Sequence, residues 1–117
     1  MLNALTADYG SLEAALRHEF GYCLIRRRLI ASRCLSEYTN AGRCEVGIVT
    51  QPDYRNKGLA TIVAAALIER AHFLGITRIG WHCWEKNRAS WNLAEKLGFE
   101  RNARYPVLTG KIAPTAE

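Results

Sequence analysis

At 117 residues, 49% hydrophobic and 23% charged, the chain suits one domain with a modest core, and its composition excludes a disordered or fibrous protein. No apolar run reaches the length of a membrane span, and residues 1–20 lack the basic start and apolar core of a secretory signal, so the expected location is cytoplasmic. Sixteen Lys and Arg against eleven Asp and Glu leave a charge of +5, which favours an anionic partner: nucleic acid, a membrane surface or a phosphorylated cofactor.

The longest basic run is "RRR" at 26–28, and no aromatic residues interleave the cations in the way that stacks bases. It reads as the solvated turn of a hairpin, so nucleic acid is not the expected partner. Cys23, Cys34, Cys44 and Cys83 form no C-x-x-C pair and the three histidines are scattered, so no metal site is expected. Buried, reduced strand thiols are the simpler reading.

Residues 11–19 predict a short helix, with Ser11 able to cap it and Leu12, Ala15, Leu16 and Glu19 sharing a face. Strands are predicted at 20–26, 29–38 and 43–50, an antiparallel meander with a turn at 40–42. A helix then runs from Lys57 to Leu74, where Leu59, Ile62, Val63, Ala66, Leu67, Ala71 and Leu74 describe one apolar face, and Gly75 stops it. A strand at 77–84 follows, then a helix carrying Ser90, Leu93, Ala94 and Leu97 on one face and closed by Gly98. A last strand covers 99–108, with Pro106 near its end. The expected fold is α/β: a mixed sheet in one domain, with a parallel pair made by a crossover helix. Residues 1–19 form its helical lead, 20–108 its core and 109–117 a tail.

The stretch "R-N-K-G-L-A" at 55–60 opens the long helix directly after a strand. The first turn of a helix has backbone N–H groups without partners, at the positive end of the helix dipole. Gly58 lets a phosphate approach those amides, Ala60 keeps the next turn slim, and Arg55 and Lys57 add charge. The bland alternative is a tight turn with a solvated rim. The stretch is neither a Walker loop nor a three-glycine dinucleotide fingerprint.

R-x-x-G-x-A after a strand resembles the acyl-CoA pyrophosphate loop of the GCN5-related N-acetyltransferases (GNAT), and "N-R-A-S-W-N-L-A-E-K-L-G-F" at 87–99 resembles that family's second motif. The resemblance covers about residues 20–108, is nearest to the C-terminal half of two-part bacterial members, and implies a bacterial origin. It implies that strands 43–50 and 77–84 start adjacent and splay, with the pantetheine arm of acetyl-CoA in the gap. Backbone groups of Val46, Ile48 and Val49 would pair with that arm, and amides of Asn56, Lys57, Gly58, Leu59 and Ala60 would hold the pyrophosphate beside Arg55. Asn87 and Ser90 would reach the arm's far side. An extended ligand bearing amides suits strand groups that a splay leaves unpaired.

Acetyl transfer to an amine needs a proton acceptor, a stabilised thioester oxygen and a leaving thiolate. Backbone N–H groups at the splay can serve the oxygen. The candidate bases are Glu45 and His82. His82 falls where some relatives that acetylate protein N-terminal amines carry a glutamate, and imidazole titrates near neutrality. The alternatives are a strand histidine packed between Trp81 and Trp84, and a surface Glu45 paired with an arginine. Ala94 stands where many relatives have a tyrosine that protonates the thiolate. Tyr105 could substitute or could simply pack in the core. Cys83 lacks a base at any readable spacing and is set aside.

Compared with the family, the stretch before the first strand is short, so the elements that line the acceptor site are expected to be mostly missing and a homodimer to cover the exposed apolar surface. Two functions remain open. One is an acyl-CoA-dependent N-acetyltransferase. The other is a CoA-binding module that regulates or completes a partner without catalysis.

Overall fold

Four strands lie side by side in chain order in the computed structural model, which describes residues 19–101: β1 (Gly21–Arg26), β2 (Leu29–Asn40), β3 (Arg43–Thr50) and β4 (Arg78–Trp81). β1 pairs antiparallel with β2 and β2 with β3, while β3 pairs parallel with β4. The parallel step requires a crossover, supplied by α1 (Leu59–Phe73). A second helix, α2 (Arg88–Lys96), follows β4. The mixed α/β sheet expected from the sequence is therefore present. The helix over 11–19 and the strand over 99–108 fall almost wholly outside the described residues; Glu19 is not helical and residues 99–101 are not in a strand.

Both hairpin turns have two residues at positive φ, the backbone of a type I′ turn, whose twist matches that of the flanking strands. Ala41 (φ 50°) and Gly42 (φ 77°) make the second. Arg27 (φ 47°) and Arg28 (φ 65°) make the first, in a conformation that costs an ordinary L-residue about 1–2 kcal/mol. Replacing Arg27–Arg28 by Asn-Gly is expected to stabilise the protein by about 1 kcal/mol, read as a higher urea midpoint at unchanged slope.

Alternation along β2 decides which face is buried. Ser32, Cys34 and Ser36 are buried, whereas Arg33, Leu35 and Glu37 on the opposite face are only half-buried. Cys34 and Val46 pack with Val63, Ala64 and Leu67 of α1, joined at the margin by Trp81, Leu97 and Phe99. The two buried serines are satisfied: Ser32 Oγ bonds Thr50 Oγ1 at 2.8 Å, and Ser36 Oγ accepts from Phe20 N at 2.9 Å and donates to Glu19 Oε1 at 3.0 Å.

Burial decides the state of two thiols. It pushes Cys34 up to about 12, with Cys44 and Glu37 adding to the effect, and Cys44 up to about 11, with Glu19 and Glu45 adding. Cys23 and Cys83 are exposed. Ellman's reagent is therefore expected to titrate two thiols in the native protein and all four after unfolding.

Both helices stop at a left-handed glycine. Ile76 N bonds Ala71 O and Gly75 N bonds His72 O, while Phe99 N bonds Ala94 O and Gly98 N bonds Glu95 O. Each is a Schellman motif, and Ile76 closes the first by packing with Ala71 and Cys44.

Two expected spans and one helix face are corrected. α1 begins at Leu59 rather than residue 57, because Gly58 is left-handed (φ 77°) and stands outside the helix as its N-cap. Ile62 (56% exposed) and Leu74 (47%) lie off the buried face, and Ala64 takes a place on it. α1 is apolar around most of its circumference, so periodicity leaves its inward direction ambiguous and the sheet chooses it. The predicted strand 77–84 shrinks to β4, because β3 and β4 stop pairing after Trp81.

Candidate active site

The parallel ladder registers Arg43 with Arg78, Cys44 with Ile79, Glu45 with Gly80 and Val46 with Trp81, and there it ends. β3 continues to Thr50, still paired with β2 down to Ser32. The other chain leaves the sheet through residues 82–87 toward α2. The two strands thus open after a short paired start, and one edge of β3 beyond Val46 carries backbone groups without a strand partner. Val46 is in the core, Ile48 half-buried and Val49 exposed, so any role of theirs in the gap runs through the backbone.

One end of the gap leads to the start of α1. Gln51 N bonds Ala31 O, a 3-10 turn follows at Pro52–Tyr54, and Arg55 Nε donates to Thr50 O at 3.2 Å. Asn56 (φ 61°) and Gly58 (φ 77°) then bend the chain into the helix, and Lys57 Nζ lies 5.6 Å above the Tyr54 ring. No side chain caps α1. The amides of Leu59, Ala60 and Thr61 are therefore those of an uncapped first turn. A Cβ built on Gly58 would meet nothing within 4 Å, so the loop surface there is open. Backbone, charge and space suit a phosphate group.

α2 starts differently. Asn87 Oδ1 accepts from Ser90 N at 3.2 Å, which caps the helix, and Ser90 Oγ accepts from Trp81 Nε1 at 2.8 Å. Asn87 and Ser90 thus hold α2 and Trp81 in place at the mouth of the gap, where Trp84, Glu85, Lys86 and Asn87 line an open cavity of about 660 Å³.

Glu45 and His82 meet at the point of divergence. Glu45 lies on the last rung but one, His82 is the first residue after β4, and His82 Nδ1 is 2.8 Å from Glu45 Oε2. This is an ion-pairing distance without the alignment of a hydrogen bond, since Oε2, shielded from solvent, has no hydrogen-bond partner among the described residues. Half of the imidazole remains exposed (56%). His82 is therefore not a strand histidine packed between two tryptophans, and the partner of Glu45 is a histidine rather than an arginine.

Glycine makes the arrangement possible. A Cβ at Gly80 would lie 2.6 Å from Glu45 Oε1, and one at Gly47 would collide with the Glu37 carboxylate. Glu37 and Glu45 are register partners and lie across the sheet face that points away from the core. Arg43 and Arg78 share this face, one rung pair earlier. Glu37, Arg43, Arg78, Gly47 and Gly80 escape sequence reasoning. Their two-residue alternation places each on a face, but only strand register brings them together. Ala94 is buried (8% exposed) and carries no proton to give.

A mixed sheet whose parallel pair opens beside a glycine-containing helix start is the architecture of an N-acetyltransferase domain. The chain belongs to the GNAT acetyltransferase family, whose model matches residues 1–108. It is 34% identical over 88 residues to the uncharacterized N-acetyltransferase YdfB of Bacillus subtilis, an overlap of 75% of this chain and 33% of the relative. A GCN5-related N-acetyltransferase-like protein from Streptococcus suis superposes with a TM-score of 0.74 at 29% identity, over 85% of this chain and 39% of that one. The aminoglycoside N-acetyltransferase AAC(6')-Iy, solved with CoA, superposes at 0.69 and 18% identity, over 94% of this chain and 90% of its own. The chain thus spans about a third of the length of the Bacillus relative.

Proposed function

We propose that the protein transfers the acetyl group of acetyl-CoA to an amine. The observation that carries this is the opening of β3 and β4 after Val46–Trp81, with the uncapped start of α1 at one end and the Glu45–His82 pair at the divergence. The CoA complex of AAC(6')-Iy adds support from a protein of the same fold. Amides of residues 56–60 hold the pyrophosphate with Arg55 and Lys57, and the β3 edge at Val46, Ile48 and Val49 pairs with the pantetheine arm. Asn87 and Ser90 border its far side.

His82 takes a proton from the acceptor ammonium, and Glu45 fixes the ring and offsets the positive charge that it gains. The amine nitrogen then attacks the thioester carbonyl; a C–N bond forms and the nitrogen gives up its remaining surplus proton to water, the C–S bond breaks, and the CoA thiolate takes a proton from water because Ala94 has none to offer. Backbone N–H groups at the splay stabilise the oxygen as charge develops. A homodimer in the cytoplasm of a bacterium, with its thiols reduced, belongs to the same proposal.

The test is the melting temperature of the protein against acetyl-CoA concentration, followed by product analysis with an amine panel. A saturable rise with acetylated product supports the proposal, because a ligand that binds only the folded state stabilises it. A rise with no product from any amine favours the CoA-binding module. No rise at millimolar acetyl-CoA excludes both.

A further inference from the structure

The face of the sheet that carries Glu45 has a second charged feature that acetyl transfer alone does not use. Arg43 and Arg78 are register partners on the parallel ladder, both exposed, on strands about 4.8 Å apart. Register-partner arginines on one sheet face bring two like charges to the same place, and among the described residues neither has an ion-pair partner. One rung pair further along lie Glu45 and Gly80, and then His82. Positive charge therefore gives way to negative charge over a rise of about 7 Å along β3. The two signs also meet in one cavity of about 330 Å³, lined by Tyr38, Asn40, Arg43, Cys44 and Glu45. It lies at the end of β3 opposite the α1 loop. Tyr38 reaches its rim because a β-bulge at φ 52° turns the residue outward, leaving it 64% exposed.

We propose that the acceptor carries a carboxylate beside its amine, as a free amino acid does. Arg43 and Arg78 hold the carboxylate, Glu45 and His82 receive the amino group, and Tyr38 offers a flat wall to the acceptor's side chain. A carboxylate placed between two arginines accepts charge-assisted hydrogen bonds from both and removes their repulsion. A simple amine gains only from Glu45 and offers the arginine pair nothing. A polycationic amine is rejected, because its further charges would face Arg43 and Arg78. The cavity is at the small end of the range for ligand sites, which suits a molecule of amino-acid size.

This inference rests on acetyl transfer, and the experiment separates the two. The full chain is given acetyl-CoA with phenylalanine, leucine or alanine, each beside its decarboxylated amine, and products are identified by mass spectrometry. The melting temperature of the CoA-saturated protein is recorded with each acceptor candidate. At least one amino acid is expected to raise the melting temperature and to be acetylated with kcat/KM about tenfold or more above its amine, the worth of one charge-assisted contact. Arg43→Met, and separately Arg78→Met, are expected to shrink that preference about tenfold, chiefly through KM, without lowering the melting temperature of the free protein. Amines that equal or exceed their amino acids overturn the assignment while leaving acetyl transfer intact, as does a preference unchanged in both variants, or acetyl-CoA binding with no response to any amino acid. An absent response to acetyl-CoA itself overturns both.

Discussion

Gly58→Glu is expected to abolish the stabilisation that acetyl-CoA gives the wild-type protein. At a hundredfold excess over Kd a ligand adds about 2.7 kcal/mol, which for a domain of this size is about 10 °C in Tm. The variant brings a negative charge and a side chain to a point of the loop where the surface is open, beside the uncapped amides of α1. Two effects must be separated, because Gly58 also has φ 77°. Any L-residue there loses about 1–2 kcal/mol of backbone energy. Gly58→Ala carries that loss without the charge and without a clash, since its Cβ meets nothing within 4 Å. The alanine variant is thus expected to melt lower than wild type yet still rise with acetyl-CoA, whereas the glutamate variant melts lower and does not rise. Equal responses in the two variants would mean that the loop is only a turn.

The second large effect is kinetic. His82→Ala is expected to lower kcat/KM for acetyl transfer by about 10²–10⁴, the usual contribution of a positioned acid–base group. Glu45→Gln keeps the shape that lies over Gly80 and removes the charge beside the imidazole, so it is expected to lower kcat with little change in KM for acetyl-CoA. The double variant distinguishes a pair from two separate contributors. If Glu45 acts by holding and compensating His82, the double variant is no slower than His82→Ala, because the glutamate has nothing left to act upon. Losses that multiply would assign Glu45 a proton-transfer role of its own. Melting temperatures of all three variants exclude unfolding as the cause.

The chain belongs to the GNAT family, and its buried Ala94 carries no proton to give. In the proposed acetyl transfer, protonation of the leaving thiolate falls to water. The buried and exposed pairs of thiols stand apart from this chemistry. Cys34 and Cys44 serve the core on the α1 side of the sheet, whereas Cys23 and Cys83 are exposed.

What the sequence by itself determined is what depends on neighbours along the chain. The two strand turns and the glycines that stop the helices at 75 and 98 arise within a few residues of one another, and these were legible; the left-handed Gly58, the Asn87 cap and the burial alternation of β2 came only with the structure. The glycine-containing helix start near residues 55–60 was legible for the same reason, since a helix start is a local object. Tertiary structure decided everything that depends on register. The family resemblance named two candidate bases, Glu45 and His82, yet only the pairing of Glu45 with Gly80 and the end of the ladder at Trp81 bring carboxylate and imidazole to 2.8 Å. The inward face of α1 was likewise undecided, because a helix apolar on most sides has no unique direction until a sheet packs against it. The arginine pair of β3 and β4 is the same case: residues 43 and 78 are distant in sequence, and only a parallel register sets their charges side by side. Local stereochemistry is written in short segments, whereas a site assembled across strands exists only once hydrogen-bonded ladders fix which residues stand opposite one another.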